Sequence, residues 1–308
     1  MDVVIPVYNE DQAVEAFHRQ LQQAVTPLNK DFTFIYIDDG STDETLDILH
    51  HLAASDPRIE VIELSRNFGH QAALCAGLDH ASGDWVISMD GDGQHPPVLI
   101  EEMLSLANQG YDIVLTQRVG EEKLPLFKRF TSSLFYRFTN RIANTQITPD
   151  SSDFRLMSRQ AVDALKAMPE YHRFLRGMVS WIGFRRVILP FTPPDRLAGQ
   201  SKYSLQKMVR LAMDAIFSFS LAPLYAGISL GILFLFLAVV EAIYVLQFWV
   251  SGNTSSLEPG WSSLMFVLLV VGGTLMIVMG IAGIYIGYIF QEVKHRPVYL
   301  VRQKYAKK

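Results

Sequence analysis

Residues 85–97 read WVISMDGDGQHPP, and the architecture of the chain follows from this stretch. A strand of buried character, Trp85–Met89, ends in a turn that carries Asp90 and Asp92. Side chains two residues apart in an extended segment share a face, so both carboxylates can bind one hard cation, and the glycines let a ligand approach the backbone. The stretch therefore predicts a strand end that holds a divalent metal ion together with a phosphorylated substrate.

The first 119 residues alternate between short β-rich runs and helical patterns. Strands are predicted at Val3–Val7, Phe32–Ile37, Ile59–Leu64, Trp85–Met89 and Ile113–Thr116, and helices at Asp11–Val25, Thr42–Ala54, Gln71–Ala81 and Pro97–Asn108. Repeated βα units indicate an α/β fold with a doubly wound, mostly parallel sheet, in which ligands bind at the carboxyl ends of the strands.

Polar clusters follow four of these strands directly. They are Tyr8–Glu10 after the first strand, Asp38–Ser41 after the second, Asp90–Gln94 after the fourth and Arg118 after the fifth. Each cluster alone has an ordinary structural explanation, such as a turn, a helix N-cap or a surface charge. Turn residues have no physical reason to gather on one edge of a sheet around a carboxylate pair. We therefore expect one substrate cleft at that edge.

Two other kinds of site share this carboxylate spacing. An EF-hand calcium loop requires glycine where this chain has His95, and a flexible segment where it has Pro96-Pro97, which excludes it. A phosphatase of the haloacid dehalogenase type uses the first aspartate of a DxDG turn as its nucleophile. That alternative leaves the clusters Tyr8–Glu10 and Asp38–Ser41 without a role, so it explains less of the sequence.

Composition and charge exclude several classes of protein. The net charge of −4 gives no global reason to expect nucleic acid as a partner. Cys75 is the single cysteine of 308 residues, so disulfides within the chain and zinc sites made of thiolates are excluded. The N-terminus enters a strand at Val3 without a basic and apolar leader, and we expect no cleaved signal.

Two long apolar runs interrupt the otherwise soluble character of the chain. Leu221–Val250 and Ser262–Phe290 each exceed the roughly 20 residues that a helix needs to cross the hydrocarbon layer. Lysine and arginine precede the first run and follow the second, while the connecting loop 251–261 holds neither. The positive-inside rule therefore predicts a multi-pass protein of the inner or plasma membrane with its head and both termini in the cytosol.

Two amphipathic segments precede the apolar runs. Residues 124–144 put apolar side chains on one helical face with basic side chains around it, and residues 201–220 carry a second apolar stripe. Basic amphipathic helices of this kind lie in the headgroup layer of a membrane, although a core helix with a solvated basic edge has the same pattern. The predicted organisation is a catalytic head (1–200), a juxtamembrane helix (201–220), a two-helix hairpin (221–290) and a basic tail (291–308).

The motifs together resemble those of family 2 glycosyltransferases with the GT-A fold. The specific resemblance is to polyprenyl-phosphate glycosyltransferases such as dolichol-phosphate mannose synthase and the bacterial GtrB-type bactoprenol glucosyltransferases. The residues that carry it are Val4–Glu10, Asp38–Ser41, Leu64–Gly69, Asp90–Pro97, Asp153–Met157, Gly199–Tyr203 and the two apolar runs. The resemblance implies a GT-A domain followed by interfacial amphipathic helices and two transmembrane helices.

The resemblance also implies roles for individual residues. The nucleotide base and ribose would contact Pro6, Tyr8, Glu10, Ile37 and Asp39. A metal ion, Mg²⁺ or Mn²⁺, and the donor diphosphate would be held by Asp90, Gly91, Asp92 and Gln94, with Arg118 at the same catalytic centre. The phosphate-binding cations would be Arg129, Arg155, Arg196 and Lys202. Asp153 is assigned to the catalytic centre, where it orients Arg155, contacts a donor hydroxyl or forms a structural pair.

The implied reaction is the inverting transfer of one hexose from a nucleotide diphosphate sugar to a polyprenyl phosphate. UDP-glucose with undecaprenyl phosphate is the favoured pair, and UDP-N-acetylglucosamine and GDP-mannose stay open as donors. A membrane-tethered nucleotide-sugar binder without catalysis is the alternative from another class. Similar proteins form tetramers, which implies a homo-oligomer. Glu241 in the first apolar run is assigned to packing or assembly, beside the contact motif Gly283–Gly287 in the second.

Overall fold

The computed structural model describes residues 1–119, 151–171, 173–194, 222–250 and 260–306 of the chain. Internal contacts divide the chain into two units. The first, here called the head, is Met1–Ala215 with Arg296–Lys308, and the second, the helical unit, is Ile216–His295. The predicted helices at 124–144 and 201–220, and with them Arg129, Arg196 and Lys202, lie outside the described residues.

Strands and helices alternate through the head as the apolar patterns predict. They are β1 (Asp2–Val7), α1 (Val14–Val25), β2 (Thr33–Asp38), α2 (Thr45–Ser55), β3 (Ile59–Leu64), α3 (His70–His80), β4 (Trp85–Ser88), α4 (Leu99–Asn108), β5 (Ile113–Arg118), β6 (Ser151–Ser158), α5 (Arg159–Lys166), α6 (Leu175–Trp181) and β7 (Arg186–Phe191). The helical unit contributes α7 (Ala222–Val250) and α8 (Trp261–Val293), and β8 (Val301–Ala306) then returns to the head. The elements predicted before residue 119 are confirmed, with ends that differ by at most three residues.

The described strands of the head form one eight-stranded sheet in the order β7-β5-β6-β4-β1-β2-β3-β8. Strand β1 pairs in parallel with β2 and β4, β2 pairs in parallel with β3, and β5 with β7. β1 is buried along its whole length because helices cover both faces of a parallel sheet. The predicted α/β class is confirmed, and the sheet is mixed, with four parallel and three antiparallel pairings among the described strands. The carboxyl ends of β1, β2, β4 and β5 therefore lie at one edge.

The antiparallel strand β6, between β4 and β5, is not predicted by the sequence pattern. Two buried hydroxyls fix its backbone: Ser88 of β4 donates to the Asp153 carbonyl at 2.7 Å, and Thr116 of β5 donates to the Phe154 carbonyl at 2.7 Å. The insertion brings β6, with Asp153 and Arg155, directly beside the strand that precedes the carboxylate turn.

The C-terminal residues differ from the predicted basic tail. Residues 301–306 form β8, which pairs antiparallel with the edge strand β3. Arg302 donates to the carboxylate of Glu63 at 3.0 Å, and the ring of Tyr305 lies 3.9 Å from that of His50. An unpaired edge strand exposes backbone donors and acceptors, and β8 satisfies those of β3. The basic residues Arg302 and Lys304 therefore lie on a strand of the head.

The helical unit consists of two long helices in its described part. Helix α7 has 29 residues and α8 has 33. Among the described residues, the segment Val270–Val293 of α8 has the length and composition to cross a membrane, with a mean hydropathy of 2.0. The second predicted span is thus supported, whereas the first, which corresponds to α7, stays a prediction.

The two helices meet where a Cβ on Gly227 would lie 3.2 Å from Val278. At Gly283 and Gly287, no described atom beyond the neighbouring turns of α8 lies within 4 Å of where a Cβ would stand, so the role of this motif in assembly stays a prediction. The side chain of Glu241 lies outside the described part of α7.

Candidate active site

The loops that follow β1 and β2 are bound to each other at the carboxyl edge of the sheet. Asn9, with φ of 52°, donates its backbone N–H to Ser41 Oγ at 3.0 Å, and its side-chain oxygen accepts from the Thr42 N–H at 2.8 Å. The Glu10 N–H donates to Thr45 Oγ1 at 2.8 Å. The predicted clusters after these two strands are therefore brought together by direct hydrogen bonds.

The turn after β2 packs tightly against the loop that follows β3. Asp39 is 3% exposed, and its carboxylate accepts from the backbone N–H groups of Phe68 at 2.7 Å and Gly69 at 2.9 Å. Gly40 has φ of 69°, and a Cβ there would lie 2.6 Å from a backbone carbon of Arg66. Burial raises the pKa of Asp39, and the two N–H donors oppose that rise. Only glycine fits this position of the turn.

The carboxylate turn after β4 holds Asp90 and Asp92 in different surroundings. Asp92 Oδ1 accepts the Gln94 N–H at 3.0 Å, which closes the turn. Asp90 Oδ1 is buried and has no hydrogen-bond partner in the structure. Gly91 lets the turn approach β1, because a Cβ there would lie 2.9 Å from Val7 Cγ1, and Gly93 has φ of 81°. The glycines on either side of Asp92 thus belong to the shape of the turn.

These residues fit a divalent metal ion. A buried carboxylate oxygen without a partner is costly unless a cation or donor satisfies it. No cluster of three or more potential metal-binding side chains occurs among the described residues. Two carboxylates suit an ion such as Mg²⁺ that takes its remaining ligands from water and substrate phosphates. Asp90 and Asp92, with Gln94 beside them, are the residues that would hold it.

Asp153 forms the centre of a buried charge cluster next to this turn. It is 5% exposed and pairs with Arg155, which is 2% exposed. Its other oxygen accepts from Arg176 Nη2 at 3.0 Å. Although burial would raise the pKa of Asp153, Arg176, His70 and Arg155 hold it well below its usual range. Asp153 is therefore a carboxylate at neutral pH, held between two guanidinium groups.

His70, the first residue of α3, connects Asp153 to the carboxylate turn. Its Nε2 lies 3.4 Å from Asp90 Oδ1 and 3.5 Å from Asp153 Oδ2. Although desolvation would lower the pKa of His70, whose side chain is 38% exposed, the two carboxylates outweigh this effect and raise the pKa to about 9. The ring is consequently a cation that lies between the two acidic groups.

The other predicted site residues differ in how deeply the structure buries them. Pro6 and Ile37 are buried register partners at the ends of β1 and β2, with Tyr8 and Glu10 half-buried beyond them. Arg118 is exposed at the end of β5. Arg155 is enclosed with Asp153, and this burial does not favour direct contact with a substrate phosphate.

Three residues of the site were not identified from the sequence as site residues. His70 and Arg176 are brought to Asp153 by α3 and α6, and no local pattern indicates these contacts. The third is His95, which is fully buried and accepts a hydrogen bond from the Asp90 backbone N–H at its Nδ1. The sequence signal for a site role of His95 is its position directly after Gln94 and directly before Pro96-Pro97.

Comparison with known proteins places the chain among glycosyltransferases. The family model described as glycosyl transferase family 2 matches residues 2–166. The uncharacterized glycosyltransferase YkcC of Bacillus subtilis (strain 168) is 38% identical over 309 residues, which cover 99% of this chain and 94% of that protein. The bactoprenol glucosyl transferase of Shigella phage SfV is 36% identical over 311 residues, which cover 100% of this chain and 99% of that protein.

Similarity to solved structures is limited. Glucosyl-3-phosphoglycerate synthase from Mycobacterium tuberculosis, in complex with Mn²⁺, uridine diphosphate and glucosyl-3-phosphoglycerate, has a TM-score of 0.45 at 20% identity. The match covers 70% of this chain and 77% of that one.

Proposed function

The chain belongs to glycosyl transferase family 2, and we propose that it moves glucose from UDP-glucose to a polyprenyl phosphate such as undecaprenyl phosphate. It is an enzyme, a glycosyltransferase. The sugar and the lipid acceptor are proposed because the similar phage protein is named a bactoprenol glucosyl transferase. UDP-N-acetylglucosamine and GDP-mannose are the alternative donors.

The donor nucleotide would bind where β1 and β2 end. Pro6 and Ile37 are paired in register there, and the linked loops after both strands form a rim around them. Tyr8 and Glu10 would contact the base, and Asp39 would face the ribose while it holds the loop after β3. The hydrogen bonds between the loops pre-order this rim, which lowers the entropic cost of binding a nucleotide.

The observation that carries the proposal is the pair of carboxylates in one turn, where the buried Oδ1 of Asp90 accepts no hydrogen bond and lies 3.4 Å from His70 Nε2. Asp90 and Asp92 would hold Mg²⁺ or Mn²⁺, with Gln94 beside it, and the bound ion supplies positive charge that neutralises the departing diphosphate. The Asp90 backbone N–H donates to His95 Nδ1 at 2.9 Å, and this bond helps to orient Asp90 for the role. A cation bound at Asp90 Oδ1 would replace or share the ion pair of this oxygen with His70.

The acceptor needs positive charge but no general base. A phosphate monoester has a second pKa near 6, so at neutral pH it is already an anionic nucleophile. The obstacle is repulsion between that anion and the donor diphosphate, which cationic side chains reduce. Exposed Arg118 is one such group, and Arg129, Arg196 and Lys202 are proposed as others. Arg155 would act through Asp153, which it orients.

The acceptor lipid requires the site to work beside a membrane. We propose a multi-pass protein of the cytoplasmic membrane with α7 and α8 as its spans and with the head and both termini in the cytosol. Val270–Val293 supports one span by length and composition, and the apolar character of α7 supports the other. Assembly as a homotetramer is part of the same proposal by family resemblance.

The test is transfer of labelled glucose into lipid. Full-length protein in membranes receives UDP-[¹⁴C]glucose, undecaprenyl phosphate and Mn²⁺, and label is counted in the organic extract. We expect organic-soluble label with the wild type and a loss of at least about 100-fold for Asp92→Asn, which removes a charge from the metal site. The matched control is Asp84→Asn, an exposed carboxylate at the opposite end of β4.

The outcomes separate the candidate functions. Full activity of Asp92→Asn, or activity that survives chelation of the metal, would refute the metal assignment. Bound UDP-glucose without any labelled lipid would indicate a nucleotide-sugar binder. A panel of UDP-glucose, UDP-N-acetylglucosamine and GDP-mannose under the same conditions identifies the donor.

A further inference from the structure

His95 connects the carboxylate turn to strand β6 through both of its ring nitrogens. The backbone N–H of Asp90 donates to Nδ1 at 2.9 Å, and Nε2 lies 2.5 Å from Ser152 Oγ. Because an N–H group can only donate, Nδ1 carries no proton and the proton of the neutral ring is on Nε2. Nε2 therefore donates to Ser152, the residue that directly precedes Asp153.

The surroundings of His95 hold its ring in one orientation. The ring is fully buried and stacks on Phe154 with centroids 5.3 Å apart and an interplanar angle of 19°. The edge of Phe191 meets it from another side at 6.2 Å. The aromatic contacts and the hydrogen bonds at both ring nitrogens thus leave the ring one orientation.

Ser152, which binds His95 Nε2, is itself held in place. Ser152 is 3% exposed, and its hydroxyl also accepts from the Phe154 N–H at 3.3 Å. The adjoining residues of β6 are anchored to β4 and β5 by the hydroxyls of Ser88 and Thr116. Strand β6 therefore carries Asp153, and the His95 imidazole links the same strand to the backbone of Asp90.

We propose that His95 is a positioning residue that sets the carboxylate of Asp90 relative to Asp153 and so holds the metal site in its binding geometry. This inference rests on the proposed function, in which Asp90 binds the metal ion. His95 would not bind the ion itself, because its Nδ1 accepts from the Asp90 backbone and its Nε2 lies 2.5 Å from Ser152 Oγ and 3.6 Å from Asp90 Oδ2. It determines the direction of the Asp90 side chain by holding the peptide from which that side chain extends, as outer-shell hydrogen bonds do in metal sites.

Three substitutions separate the hydrogen bonds from the packing. His95→Phe keeps a ring for stacking on Phe154 but removes both hydrogen bonds. His95→Asn restores the acceptor for Asp90, because Asn Oδ1 is the same number of bonds from the backbone as Nδ1. His95→Gln keeps a donor near Ser152 but misplaces the acceptor. The acceptor role therefore predicts that the asparagine variant retains function better than the other two.

The first measurement is binding of Mn²⁺ with UDP to each full-length variant by titration calorimetry. We expect His95→Phe to bind the metal about 10- to 100-fold more weakly, which is the usual effect of removing an outer-shell partner, and His95→Asn to stay within a few-fold of the wild type. The second is amide hydrogen exchange of metal-free protein. Exchange at residues 90–95 should rise in His95→Phe, while exchange in β1 stays unchanged.

Each result decides the proposal. Wild-type binding and wild-type exchange in a folded His95→Phe, or equal loss in the asparagine and phenylalanine variants, would overturn it. If His95→Phe does not fold, the comparison of Asn with Gln decides, and equal metal binding by these two overturns it. If the wild type itself binds no Mn²⁺ with UDP, the metal role fails, and the exchange experiment still tests the link between His95 and Asp90.

Discussion

Asp153→Asn should destabilise the head strongly, because it leaves a buried arginine without its counter-charge. Arg155 is 2% exposed and depends on Asp153 for charge compensation, whereas the side chain of Arg176 is 28% exposed and keeps contact with water. Removal of one partner of a buried ion pair costs about 3–5 kcal/mol. For a domain of this size each kcal/mol lowers the melting temperature by about 2–4 °C, so we expect a decrease of roughly 6–20 °C.

The assay is thermal unfolding of the full-length protein in detergent, with transfer activity measured in parallel. The control is the double variant Asp153→Asn with Arg155→Met, because it also removes the buried guanidinium that Asp153→Asn alone leaves without a counter-charge. We expect the double variant to regain most of the lost stability and little of the lost activity. An unchanged melting temperature of Asp153→Asn would refute the reasoning, and recovery of activity with stability would show that Asp153 serves structure alone.

The other predictions concern the turn after β2, a buried histidine and the C-terminal strand. Gly40→Ala should weaken donor binding and cost about 1–2 kcal/mol, since φ is 69° and a Cβ would lie 2.6 Å from the backbone of the facing loop. UDP calorimetry checks this against Gly231→Ala, where no described atom beyond the neighbouring turns of the helix lies within 4 Å of the added Cβ. Burial lowers the pKa of His18, so the unfolded chain binds a proton that the folded head excludes. The contribution of His18 to stability should be complete above about pH 6.5 and fall as the pH decreases below it. Urea unfolding should therefore show a smaller loss of stability below about pH 6.5 for His18→Gln, and an equal loss in both proteins would contradict this cause. Deletion of residues 301–308 should expose the edge of β3 and cause aggregation in size-exclusion chromatography, whereas Arg302→Ala, which breaks one partly exposed pair, should cost less than about 1 kcal/mol. A monomeric, equally stable truncated protein would show that β8 does not protect the edge.

The sequence predicted the first five strands and four helices because their apolar residues recur with the period of the structure they form. It also predicted that polar clusters after consecutive parallel strands would meet, since such strands end at one edge of the sheet. The hydrogen bonds between Asn9, Ser41 and Thr42 are an example of this convergence. Local chemistry indicated the carboxylate turn equally well, because Asp90 and Asp92 are neighbours in the chain.

Strand β6 shows where sequence patterns are insufficient. Its residues Ser151–Ser158 include a buried aspartate and a buried arginine, which in a local window are typical of an exposed segment. Two charges are buried together only when they compensate each other and further partners satisfy them. Those partners, among them His70 and Arg176, come from α3 and α6, far away in the chain.

The amino-acid sequence by itself determined the α/β class, the apolar helices and the acidic turn that holds the candidate metal site. Each of these depends on interactions between residues that are near one another in the chain. Only the tertiary structure decided that Asp153 is the buried centre of several ion pairs, that Arg155 is enclosed with it and that His95 holds the Asp90 backbone. These features depend on charge compensation and burial across the sheet, and both arise when distant segments pack together.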